Sequence, residues 1–285
     1  MVAVRGDRRR AARPQTRWLN DRYRVDEPVG GGTLFVVWRG YDAALRRSVA
    51  VKMAARRAAA ERRLGRRLRA EARAAARLSH PNVARVYDYG ESAASRTPFV
   101  VFEFVNGYDL QSRLSAAGPL PVTDAGQVCA DVADALGAAH ARGLVHRDIK
   151  PANVMLSPAG VKVVDFGIAA DAGRPATRGT DGLVPGTRAY MAPEQEDGAP
   201  ADPAADMYSF GLLLRECLTA RRSRPDADPP ALTEHRLGTW PWLPAGVPRP
   251  VERLVRACLS DAPGQRPSGA VAAAVLRGSA ARGSD

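Results

Sequence analysis

The chain has 285 residues, 45% of them hydrophobic and 25% charged, which is enough for one large domain or two small lobes around a real core. Its net charge of +12 raises the question of a nucleic-acid or membrane-surface partner. No zinc-finger spacing or aromatic RNA-binding strand is present, and no stretch nears the ~20 apolar residues of a membrane span, so no specific nucleic-acid partner and no membrane crossing are expected.

Much of the excess charge is local, in the first twenty residues and in a second cluster from Arg56 to Arg77. Arg5, Arg8, Arg9, Arg10, Arg13 and Arg17 crowd residues 1–20, which lack periodicity and read as a basic flexible leader, without the apolar centre of a signal peptide. Strands are predicted at 23–28, 35–41 and 48–53, separated by Gly-rich or polar turns. The Ala, Arg, Glu and Leu of 54–78 predict one long helix, with an interruption allowed at Gly65. Two apolar strands follow, at 83–89 and 99–104, and the pattern breaks near 105–109. Beyond it helices dominate. Residues 124–141 set Val128, Val132, Leu136 and Ala139 on one face, and 207–219 and 251–259 are further apolar helices. The Pro-rich 221–250 reads as an extended loop. Cys129, Cys217 and Cys258 form no CxxC pair and read as buried thiols of a reducing compartment, here the cytoplasm. The whole is an α+β chain of two lobes. A small, mainly β lobe with one long helix spans 21–104, a larger and mainly helical lobe spans 105–278, the hinge lies at about 103–106, and a tail follows at 279–285.

Val29-Gly30-Gly31-Gly32-Thr33-Leu34-Phe35-Val36-Val37 joins two of the predicted strands. Glycines there let a backbone approach a triphosphate and turn its N–H groups inward, although three adjacent glycines also make a plain tight turn. No Gly-Lys-Ser/Thr follows, which excludes a P-loop, and a strand follows instead of a helix, which excludes a dinucleotide fingerprint. Ala50-Val51-Lys52 ends a later strand with an ammonium able to reach α- and β-phosphates, provided that a carboxylate holds it. Glu71, in the Arg-rich helix, leads for that part, with Glu61 as its rival.

His146-Arg147-Asp148-Ile149-Lys150-Pro151-Ala152-Asn153 carries the strongest signal. Asp148 can accept a proton from a hydroxyl, Lys150 can neutralise a transferring phosphoryl, and Asn153 can give an oxygen to Mg²⁺. Val163-Val164-Asp165-Phe166-Gly167 ends an apolar strand with a carboxylate placed for a second metal contact. Met191-Ala192-Pro193-Glu194 follows, with Arg266 as the natural late partner of Glu194. Asp206 is placed to cap backbone N–H groups of the loop holding His146 and Arg147.

From about Tyr23 to Leu276 these segments resemble the eukaryotic-type protein kinases, and within them the bacterial serine/threonine kinases. The resemblance implies a non-specific serine/threonine protein kinase that uses ATP and Mg²⁺, with Mn²⁺ as a substitute, and phosphorylates proteins, itself among them. Gly30 and Gly32 match the first two glycines of the nucleotide loop, Val37 the valine over the adenine, and Lys52 and Glu71 the ion pair of the active state. Phe102 matches the gatekeeper, Glu103, Phe104 and Val105 the hinge, and Met155 the residue beneath the adenine. Asp148 matches the catalytic base, Asn153 and Asp165 the metal ligands, and Thr187 the threonine that bonds the base and the loop lysine.

Two departures stand out. Phe35 occupies the place of the third glycine, where a bulky loop tip is expected to weaken nucleotide binding or to slow release. The stretch after Leu218 lacks the usual Gly-x-x-Pro-Phe. A catalytically weak nucleotide-binding scaffold and a small-molecule phosphotransferase are the competing readings. The intact Lys52, Glu71, Asp148, Asn153 and Asp165 speak against the first, and Lys150 with Gly186-Thr187 against the second. Thr177 and Thr180, in the loop over 169–185, are candidate phosphorylation sites whose charge would be read by Arg147. Oligomeric state is not legible in the sequence.

Overall fold

In the computed structural model the described residues are 17–32, 34–55, 62–165, 170–171, 189–196, 198–200, 202–220 and 243–281. The first lobe is an antiparallel sheet of β1 (Arg17–Leu19), β2 (Tyr23–Gly31), β3 (Phe35–Asp42), β4 (Arg47–Ala54), β5 (Val86–Glu91) and β6 (Pro98–Glu103), in the order β1-β2-β3-β4-β6-β5. Alternation in β4 sends Val49, Val51 and Met53 to one face, where they pack with Leu19, Tyr23, Val25, Phe99 and Val101. Helix α1 (Arg62–Ala76) lies across the other face, burying Leu68 and Ala72 against Val100.

Three expectations are corrected here. The leader expected over 1–20 stops short: Arg17 pairs with Val25 and Leu19 with Tyr23, and Leu19 is fully buried. A Trp-Leu dipeptide among arginines is too short to register as a periodic pattern. The long helix expected from residue 54 loses its start, because Ala54 pairs with Phe35 and belongs to β4. The strand expected from residue 83 begins at Val86. Val83 instead bridges Val163, with Ala84 N–H donating to Val163 O at 3.0 Å and Val163 N–H to Asn82 O at 2.8 Å. Ala84 N–H, Asn82 O and the Asn82 side chain, which donates to Val161 O at 2.9 Å, thus bond to the second lobe, while Val83 N–H donates to His80 O at 3.1 Å.

The second lobe follows a break at Gly107. A Cβ there would stand 2.0 Å from the Leu156 carbonyl oxygen, so only glycine lets the chain pass this close. The lobe comprises β7 (Tyr108–Asp109), α2 (Leu110–Ala117), α3 (Val122–His140), β8 (Leu144–Val145), β9 (Val154–Ser157), β10 (Gly160–Val163), β11 (Ala170–Asp171), α4 (Pro193–Glu196), α5 (Pro203–Thr219), α6 (Arg249–Cys258) and α7 (Gly269–Ala281). Asp109 caps α2 by accepting from Ser112 N–H at 2.8 Å. Helix α5 starts earlier than the expected 207, since Asp202 caps it and Pro203 takes its first turn. The apolar faces of α3, α5, α6 and α7 close one core, and all three cysteines are buried as free thiols. Helix α7 runs past 278 into the expected tail, with Ser279 buried and its hydroxyl donating to Val275 O at 2.8 Å. Among the described residues no helix is long and apolar enough to cross a membrane.

Candidate active site

The glycine segment closes as a tight hairpin between β2 and β3. Gly30 faces Val37 and Gly31 faces Val36 across the strands, and Gly32 N–H donates to Phe35 O at 2.8 Å. Gly31 adopts φ 136°, and a Cβ on it would lie 2.6 Å from the Phe35 carbonyl oxygen, so this turn demands glycine. Val29 is exposed beside the hairpin. Phe35 is not a loop tip. It opens β3 opposite Ala54, and its half-buried ring packs against the cluster of Leu68, Ala72 and Val100.

Lys52 pairs with Val37 on one side and Val100 on the other, which fixes it mid-sheet with only 6% exposure. Its ammonium forms an ion pair with the Asp165 carboxylate. The Phe35 ring centroid lies 5.2 Å from Nζ. Glu71 lies in α1; its side chain, like residue 61, falls outside the described residues. Ala50 stands opposite Phe102 in β6, whose ring packs toward Leu68 and Val100.

The segment after β8 is built around one buried carboxylate. Asp206, at the start of α5, accepts the backbone N–H groups of His146 and Arg147, each at 2.7 Å, and lies 2.8 Å from His140 Nε2. His146 Nδ1 accepts from Asp148 N–H at 3.3 Å, so Nε2 carries the proton that it shares with Val164 O at 3.2 Å. Arg147 at φ 68° and Asp165 at φ 63° both take the left-handed conformation, strain that the surrounding bonds must hold.

Asp148 is then gripped from two sides. Lys150 Nζ donates to Oδ1 at 3.0 Å and to Oδ2 at 2.8 Å, and Asn153 Nδ2 donates to Oδ2 at 3.0 Å and to the Asp148 carbonyl at 2.7 Å. With both amide protons of Asn153 committed to Asp148, its Oδ1 is the atom left for a cation. Val164 N–H donates to Asn153 O at 3.0 Å, which sets Asp165 beside it. One amide oxygen and one carboxylate are the hard oxygen donors that Mg²⁺ takes, so the residues fit that ion. The protein bulk around Asp165 opposes its charge, but Lys52, through charge and hydrogen bond, with His146 and Lys150 behind it, holds its carboxyl below the usual range.

At the lobe junction, Glu103 ends β6. Its carboxylate binds Lys162 Nζ of β10 at 2.8 Å and accepts from Arg85 N–H at 3.2 Å, while its own N–H donates to Arg85 O at 2.8 Å. Met155 in β9 faces Asp109 of β7, and Val105, expected as part of the hinge, is half-buried. Farther away, Arg266 binds Glu194 through Nη1 at 2.5 Å and Nη2 at 2.9 Å, and its other donors reach Ala204 O at 3.0 Å and Ser260 O at 2.9 Å. Phe166, Thr177, Thr180 and Thr187 fall outside the described residues.

The sequence reading passed over His140, Lys162 and the packed position of Phe35. His140 and Asp206 are 66 residues apart, and Lys162 and Glu103 are 59 apart, so nothing local signals either contact. The strand predicted over 35–41 already begins at Phe35, but alternation alone does not say which face of the sheet α1 covers.

A hairpin over a strand lysine, a carboxylate-capped loop with Asp148, Lys150 and Asn153, and Asp165 closing the cleft define a protein kinase domain. The chain belongs to the protein kinase domain family, which matches residues 23–277. Among named relatives, serine/threonine-protein kinase PknA of Mycobacterium tuberculosis is 40% identical over 256 residues, covering 87% of this chain and 58% of its own length. Serine/threonine-protein kinase PkaA of Streptomyces coelicolor is 36% identical over 268 residues, covering 88% of this chain and 48% of its own. Serine/threonine-protein kinase PknB of Mycobacterium tuberculosis is 38% identical over 207 residues, covering 70% of this chain and 33% of its own. The chain thus spans from a third to somewhat over half the length of these relatives.

Proposed function

We propose that the chain transfers the γ-phosphate of ATP to serine and threonine hydroxyls of proteins, its own among them. The observation that carries this reading is the two-sided grip of Lys150 and Asn153 on Asp148, beside the Lys52–Asp165 pair. Asp148 takes the proton of the acceptor hydroxyl as its oxygen bonds to the γ-phosphorus and the bond to the β-phosphate oxygen breaks, releasing ADP. Lys150, already against Asp148, neutralises the phosphoryl in flight, with Thr187 bonding both. Lys52 orients the α- and β-phosphates, held by Glu71. Asn153 Oδ1 and the Asp165 carboxylate are the groups that would hold Mg²⁺, or Mn²⁺ in its place, which when bound supplies positive charge to the phosphate oxygens.

The nucleotide fits the cleft between the lobes. The backbone of Gly30, Gly31 and Gly32 covers the phosphates. Val29, Val37 and Ala50 lie above the adenine and Met155 below it, Phe102 closes the back, and the backbone of Glu103 and Val105 reads its edge. His146, Phe166, Asp206 and the Glu194–Arg266 pair support this frame. Regulation falls to Thr177 and Thr180, whose phosphates would add about −1.5 to −2 charges each for Arg147 to read. A domain that uses ATP and keeps three buried free thiols suits the cytoplasm.

Incubation with radiolabelled ATP and Mg²⁺, alone and with a generic basic protein, followed by phosphosite mapping, tests the reading. Label on serine or threonine is expected. Nucleotide binding without transfer would favour a scaffold, and label on a small-molecule acceptor alone would favour the other class of phosphotransferase.

A further inference from the structure

Phe35 stands where the protein kinase pattern has a glycine, and its side chain has a definite destination. As the first residue of β3 it pairs with Ala54, which points its ring to the face covered by α1. There the ring meets the cluster of Leu68 and Ala72 from α1 with Val100 from β6. It also lies 5.2 Å from Lys52 Nζ, within the range at which an aromatic face attracts a cation. Lys52 is thereby flanked by two groups of opposite kind: the Asp165 carboxylate from the second lobe and the Phe35 ring from the nucleotide hairpin. The ammonium is almost wholly buried, and a desolvated cation gains more from a ring than an exposed one does.

We infer that Phe35 is a positioning residue for Lys52, its ring linking the nucleotide hairpin to α1 and holding the ammonium where the phosphates are bound. The inference rests on the reading of Lys52 as the phosphate lysine, and it reverses the expectation that a bulky residue here only weakens nucleotide binding. Both effects are physically open to a phenylalanine at this point, and the packing decides between them. The ring packs against Leu68 and Ala72 of α1 and Val100 of β6, so it backs the lysine instead of filling the phosphate space.

Two substitutions separate ring from bulk. Phe35→Leu keeps an apolar side chain against Leu68 and Ala72 but removes the aromatic face, whereas Phe35→Tyr keeps the face. The first measurement needs neither nucleotide nor activity: a double-mutant cycle of Phe35→Leu with Lys52→Met, read by urea unfolding. The expected result is a coupling of ~3- to 5-fold in the unfolding equilibrium constant, the size of a cation–π contact. Additive losses would overturn the contact, whatever the chain's activity proves to be. The second measurement is ATP affinity and the split of KM against kcat. Phe35→Leu is expected to raise the ATP Kd and KM ~3- to 5-fold with a smaller change in kcat, the loss disappearing in a Lys52→Met background, and Phe35→Tyr is expected to restore it. A lower KM in Phe35→Leu would show that the ring obstructs the nucleotide and would sink the inference. Equal losses in the Leu and Tyr variants would do the same, by assigning the effect to packing alone. Coupling in the unfolding cycle with no ATP binding by the parent would count instead against the kinase reading.

Discussion

Asn153 donates twice to Asp148, at 2.7 Å to its carbonyl and at 3.0 Å to its carboxylate, so one side chain fixes both the backbone and the reactive end of that aspartate. The acidic group is thereby aimed without being used up, since Lys150 shares its oxygens as an ion pair.

Asp148→Asn should therefore cut phosphoryl transfer at least ~100-fold, the usual share of a positioned base. The carboxylate acts on the acceptor hydroxyl in the transition state and not on the nucleotide, so ATP affinity should stay within about threefold. Steady-state transfer and nucleotide titration of the same preparation check both halves. Transfer within threefold of the parent would remove Asp148 from its role.

Arg266 is a structural counterpart. Its guanidinium side chain is fully buried and spends its donors on Glu194, Ala204 O and Ser260 O. Arg266→Ala leaves the Glu194 carboxylate half-buried without its cation and should cost about 3 kcal/mol in urea unfolding. Arg266→Lys should recover little, because an ammonium cannot match the planar fork that meets both Glu194 oxygens and two carbonyls. A lysine variant as stable as the parent would count against this account.

The pair Arg22–Asp42 ties the turn before β2 to the end of β3 and should show itself through pH. Asp42 is buried, and the hydrogen bonds from Arg22 above all, with backbone N–H groups of Leu45 and Ala44 against the cost of burial, hold its carboxyl below the usual range. A folded-state pKa below the unfolded value of about 4 means that the unfolded chain takes up protons first as pH drops. The stabilisation is full above pH ~5 and is lost as pH falls through the lower folded value. Arg22→Ala should cost about 1 kcal/mol at pH 7, a figure kept small by the exposure of the guanidinium, and this difference should shrink as acid protonates Asp42. Unfolding of parent and variant across that range measures it; a pH-independent difference would argue for packing instead.

Phosphate at Thr177 or Thr180 is the regulatory expectation. Protein treated with ATP should carry it in peptide mass spectrometry, and the Thr177→Ala/Thr180→Ala pair should lower kcat by at least ~10-fold. An unmodified loop together with full activity in the pair would reject it.

Much of this was legible in the chain before its fold was known, and the reason is local density. His146 to Asn153 packs base, cation and amide into one turn, and the turn residues that shape it are in the same segment. Asp206 as the cap of the His146–Arg147 backbone and Arg266 as the partner of Glu194 were readable because a carboxylate and a guanidinium have few other uses in apolar surroundings. The contact of Lys52 with Asp165, the latch of Glu103 on Lys162 and the seat of Phe35 were not legible. Each joins segments that only tertiary packing brings together, and a side chain's partner across two lobes leaves no trace in its neighbours. Helix starts were misplaced for a related cause: composition at 54–61 favours helix, but Ala54 completes a ladder with Phe35 that composition cannot see.

Strand β1 has a practical consequence. The family shared with other protein kinases begins at residue 23, yet Arg17–Leu19 runs outside that boundary and covers the open side of β2. Cutting the chain at the family boundary would uncover a row of unpaired N–H and C=O groups beside Tyr23 and Val25 and would remove Leu19 from the core. A bared edge of that kind recruits the same edge of another molecule. Preparations trimmed to the shared length should therefore cluster through their sheets, while those that keep Trp18 and Leu19 stay dispersed.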